Sequence, residues 1–216
     1  MLKKFCFLFL LSFILNENVY ASNDNIQLQN ASQCIHQIVQ SIDDSDVKTF
    51  EKLIDIDAIL QEALKLFLAE AQKPENSSQL PPILALVVNQ AAAQDSAGET
   101  VRALILRESK AFVINGVSSG SFAGKKVVNN NQQQGMLAPF FQDASTGKKE
   151  FRNITDAIKN GNDYIVSFNI FDHGNGETYP VIGKINQVNS TMQLVQIVNL
   201  QELFDRVRKE ALGLTE

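Results

Sequence analysis

Up to Phe112 the apolar residues of this chain recur at intervals of three and four, whereas from Lys148 onward they alternate with polar ones. Intervals of three and four line one face of a helix, and alternation lines one face of a half-buried strand. Helices first and strands after predict an α+β fold, with N-terminal helices packed on a C-terminal antiparallel sheet.

Within the first half, Ala31, Cys34, Ile35, Ile38, Val39 and Ile42 predict a helix, preceded by a frayed polar lead-in over residues 22–30. Asp44 or Ser45 is placed to cap a second helix that buries Val47, Phe50, Leu53 and Ile54. Asp55 or Asp57 opens a longer helix, striped by Ile59, Leu60, Ala63, Leu64, Phe67, Leu68 and Ala71. Residues 73–79 read as a loop, and Pro81-Pro82 start another helix, because proline is tolerated where an N–H has no partner anyway. Ile83 to Ala93 is apolar nearly all round, which predicts a buried helix. A further helix from about Ser96 carries Val101, Leu104, Ile105 and Phe112, with Asn115-Gly116 as its stop. Residues 116–135 are rich in Gly, Ser, Asn and Gln and are expected to form a mobile loop, followed by a short apolar turn over Met136 to Phe141.

The second half predicts strands over 149–159, 163–172, 178–188 and 192–199. Asn160-Gly161, Gly174-Asn175-Gly176 and Asn189-Ser190 turn them into a four-stranded meander. Leu203, Phe204, Val207, Ala211 and Leu212 predict a closing amphipathic helix.

The first residues carry an address. Lys3-Lys4, an apolar run from Phe5 to Leu15 and Val19-Tyr20-Ala21 are the parts of a secretory signal cleaved near Ala21. The run is too short to span a bilayer, which takes ~20 residues, so no transmembrane anchor is expected. Residues 22–216 then form a single domain, exported and periplasmic or extracellular. Cys6 leaves with the leader, and Cys34, alone, makes no internal disulfide; it reads as a small buried residue on a helix. Losing Lys3, Lys4 and Glu17 takes the formal charge from −5 to −6. A mildly acidic chain with scattered cations and no Trp offers nothing to nucleic acid.

The stretch from Ile42 to Leu60, with its Asp-x-x-x-Phe and Ile-Asp elements at Asp46, Phe50, Ile54 and Asp55, resembles the opening of secreted bacterial proteins of unknown function. These belong to the nuclear transport factor 2-like, cone-shaped α+β class. The late hairpins and Leu194 to Leu200 are similar to the same class. The likeness covers about residues 31–72 and 148–205 and rests on packing patterns; the inserts over 80–135 and the missing Trp depart from it. The resemblance implies a curved sheet behind helices. It implies no activity, since the class hosts enzymes and binding modules alike.

Candidate chemistry is sparse. His36 and His173 would need carboxylates beside them to make a catalytic or metal site. Asp43, Asp44, Asp46, Asp55 and Asp57 fall at helix starts, where capping is favoured over calcium. Ser118 to Lys126 lacks the spacing of a phosphate-binding loop. No catalytic, metal or cofactor site is expected. The bulky apolar residues suggest a pocket lined by Phe50, Leu64, Phe67, Leu84, Val88, Phe168 and Ile170, for a small apolar molecule, a lipid or an envelope protein. The alternative is a small isomerase or dehydratase with an acidic residue in that pocket, which only the fold resemblance supports.

Overall fold

The computed structural model describes residues 23–77, 80, 82–125 and 147–211. The expected leader over residues 1–21, the Asn/Gln tract, the turn expected over 136–141 and Leu212 lie outside the described residues. The helices are α1 (Asn23–Asp43), α2 (Val47–Leu53), α3 (Ile56–Ala71), α4 (Pro74–Ser77), α5 (Pro82–Ala92) and α6 (Ser96–Ser118). Four strands follow, β1 (Lys149–Asn160), β2 (Asp163–Asp172), β3 (Glu177–Val188) and β4 (Thr191–Ile197), and then α7 (Leu200–Ala211). The strands pair antiparallel in the order β1-β2-β3-β4, an uncrossed meander, so the fold is α+β as expected.

Alternation decides which face of the sheet is covered. On β2, Tyr164, Val166, Phe168 and Ile170 are buried, while Ser167 and Asn169 between them are not. Val181 and Ile185 of β3 and Leu194 of β4 continue the buried face. Helix α1 sets Cys34, Ile35, Ile38, Val39 and Ile42 into the same cluster, joined by Phe50, Leu53 and Ile54. Fully burying each large apolar side chain contributes about 1.5–3 kcal/mol, so this seam carries most of the stability. Gly183 permits it: a Cβ there would stand 2.8 Å from Leu194 Cδ1.

Turn chemistry closes the hairpins. Asn189 and Ser190 both take positive φ, as a type I′ turn requires. Gly161, also at positive φ, and Asn162 form the first turn, so Asn160 is the last residue of β1. After β4, the Asn199 side chain imitates a strand. Its Oδ1 accepts from Ile182 N at 2.8 Å and its Nδ2 donates to Pro180 O at 2.8 Å, extending the ladder by one residue into α7.

Several helix boundaries differ from the sequence reading. α1 begins at Asn23 instead of after a frayed lead-in, because residue 28 already packs on the core and adding turns to an existing helix costs little. Ser45 lies at φ 60 in the turn, so the next residue, Asp46, caps α2, accepting from Thr49 N at 3.1 Å. Asp55 caps α3, accepting from Ala58 N at 3.0 Å. Pro74–Ser77 is a short helix within the expected loop. Nor is α5 buried all round: Val88 and Ala91 are covered, but Ile83 is 70% and Leu86 66% exposed, because α3 and α6 meet only one side of it.

The stop of α6 also moves. Gly116 stays helical, and a Cβ there would lie 1.9 Å from Phe122 Cζ. Gly116 is therefore needed for space, and Gly120 at φ 71 makes the left-handed turn. Phe122 folds back beneath the helix, 1% exposed, with its ring centroid 6.3 Å from that of Phe112. The first part of the expected loop is thus ordered around one aromatic side chain. Lys125 Nζ then reaches Asp43 O at 2.7 Å and Ser45 Oγ at 3.0 Å, placing a cation at the carbonyl end of α1.

Candidate functional site

Helices α3, α5 and α6 enclose an open groove of about 600 Å³ on the side of the helical layer. Its apolar lining comes from Leu64, Leu68 and Ala69 of α3, Ala91 and Ala92 of α5, and Ala103 and Leu106 of α6. Leu64 and Leu68, and Ala103 and Leu106, follow the three-and-four spacing that turns them toward the neighbouring helices. The rim is polar: Gln61, Lys65 and Gln72 from α3, Gln94 from the connection, and Glu99 and Arg102 from α6.

The corner between α5 and α6 is tightly built. Asp95 caps α6 by accepting from Gly98 N at 2.8 Å, and a Cβ on Gly98 would meet Ala93 O at 2.1 Å. Carbonyls at the end of a helix have no partner of their own. Here Arg102 Nη1 supplies one, donating to Ala91 O at 2.5 Å and Ala93 O at 2.7 Å. Arg102 thus joins the two helices and lines the groove.

Of the residues expected to line a pocket, Leu64 lines this groove. Phe50, Phe168 and Ile170 lie in the core between helices and sheet, and Val88 is buried on the covered side of α5. Phe67 is half-buried with its ring centroid 6.4 Å from that of Phe204 in α7, and Leu84 is half-buried on α5. Lys65, Glu99 and Arg102 escaped the sequence reading, because nothing local to them signals a cleft made by three helices.

The two histidines do not converge. His36 packs edge-on to Phe151, with ring centroids 5.1 Å apart, while His173 Nε2 bonds Glu150 Oε2 at 2.6 Å. Phe151 and Glu150 are consecutive in β1 and point to opposite faces of the sheet. Partial burial lowers the His36 pKa from 6.5, and its buried Nδ1 has no hydrogen-bond partner among the described residues. On the other face Arg152 pairs with Glu150 at 2.9 Å and stacks 4.6 Å from the Phe171 ring centroid. The hydrogen bond with His173, with Arg152 and Lys148 nearby, holds the Glu150 carboxyl below its usual range.

Other groups of chemical interest are structurally engaged. Cys34 is 1% exposed, its Sγ donates to Met192 O at 3.2 Å, and burial pushes its thiol up to about 12, which removes the nucleophilic thiolate. Of the acidic patch, Asp46 and Asp55 cap helices and Asp57 pairs with Lys110 at 2.7 Å. Among the described residues no group of three or more His, Cys, Asp or Glu could hold a metal ion. The buried carboxylates are paired as well: Glu70 with Lys73, and Asp172 with Lys149 at 2.7 Å. No described helix is long and apolar enough to cross a membrane.

Compared with known proteins, the chain matches no family model, no curated protein and no solved structure.

Proposed function

We propose that this protein is an exported, non-catalytic binding module of the bacterial envelope, and that the groove between α3, α5 and α6 is where it holds an apolar ligand. The observation that carries this reading is the groove itself: a leucine and alanine lining, a polar rim, and a volume of about 600 Å³ within the 300–1,000 Å³ usual for ligand sites. The leader pattern at residues 1–21 supports export. An isomerase or dehydratase would need a carboxylate left available in a closed pocket. Buried Glu70 and Asp172 are instead committed to lysines, which favours binding over proton transfer.

The test is saturable displacement of an apolar fluorescent dye from the folded protein, together with native mass spectrometry of protein recovered after export. Leu68→Glu, which puts a charge in the apolar lining, should abolish dye binding with an unchanged circular dichroism spectrum. Dye that binds the variant as well as the parent, or only after unfolding, would remove the groove as the site.

A further inference from the structure

We infer that the groove selects an amphiphile with one apolar chain and a single carboxylate head, recognised by Arg102; this rests on the binding reading above. Arg102 Nη1 is tied to Ala91 O and Ala93 O, while its Nε and Nη2 hydrogen-bond no group among the described residues. A guanidinium presents its donors as a rigid planar fork that matches a carboxylate. Because α5 already holds one nitrogen, the remaining donors are positioned before a ligand arrives, and less rotamer freedom is lost on binding.

The rim charge narrows the ligand further. Lys65 and Arg102 contribute two cations and Glu99 one carboxylate, leaving a single net positive charge beside the apolar lining. That balance suits a monoanion; a dianionic head such as a phosphate monoester would leave excess negative charge facing Glu99. The Leu64, Leu68 and Leu106 lining accepts the chain.

Isothermal titration of the mature protein with laurate, and with the alcohol of equal chain length, separates this inference from the one beneath it. Laurate should bind about tenfold more tightly than the alcohol, which corresponds to about 1.4 kcal/mol. Arg102→Gln should bring laurate down to the alcohol's affinity. As Arg102 also joins α5 to α6, two exposed rim variants provide independent readings. Lys65→Gln should weaken laurate several-fold and Glu99→Gln tighten it, each changing the alcohol less than the acid. Equal affinity for acid and alcohol, or no response to either rim variant, overturns the carboxylate inference and leaves the groove intact as an apolar site. Failure of both ligands to bind removes the binding reading itself.

Discussion

The Lys149–Asp172 pair gives the sharpest test of how this fold is held together. The Lys149 side chain is 0% exposed and that of Asp172 7%, and their atoms meet at 2.7 Å across the open end of the β1–β2 hairpin. At an effective dielectric of ~20 the attraction is about 6 kcal/mol, but stripping water from each ion costs several kcal/mol, so the intact pair contributes little net stability. Removing one partner is another matter, because the buried charge that remains loses this ion pair. Asp172→Asn is close to isosteric, and its Oδ1 can still accept the Gly174 N–H that Asp172 receives at 2.8 Å. The expected loss is therefore electrostatic: about 3–5 kcal/mol. For a domain of this size that lowers Tm by roughly 6–20 °C. Lys149→Met should lose a similar amount, and Lys149→Met with Asp172→Asn should recover most of it. Urea melts of the four proteins complete the cycle. Single variants within about 1 kcal/mol of the parent, or a double variant as unstable as the sum of its parts, would refute the reasoning.

Two further outcomes follow from the packing. Gly116→Ala should destabilise by about 1–2 kcal/mol in denaturant melts despite the gain in helix propensity, because the Phe122 ring must leave its place under α6; a neutral or stabilised variant would show that the ring has room to move. Burial lowers the His36 pKa from 6.5 in the fold, so the unfolded chain binds the extra proton first as pH falls. Its contribution is complete above about pH 6.5 and is lost progressively below it; His36→Leu should flatten that part of the stability profile, and an unchanged slope would count against the assignment.

The alternation in β2 and the spacing in α1 and α3 were legible because each is a local pattern tied to one backbone period. The turns were nearly so, since residues 189–190 and Gly161 carry the conformations their turns need. Boundaries were less legible. Gly116 and Gly120 look alike in sequence, and only the position of Phe122 decides which one ends the helix.

The site was the least legible part. Phe50, Phe168 and Ile170 are bulky and apolar in sequence whether they fill a core or line a pocket, and only tertiary packing placed them in the seam between helices and sheet. Arg102 reads as one more surface cation until α5 ends beside it and presents two carbonyls. By itself the sequence determined the class of fold and the faces of its strands. Tertiary structure alone decided the groove, the anchoring of Arg102 and the burial of Lys149 with Asp172. The physical reason is range: periodicity is set within a few residues, whereas a cleft or a buried charge exists only where elements distant in sequence meet.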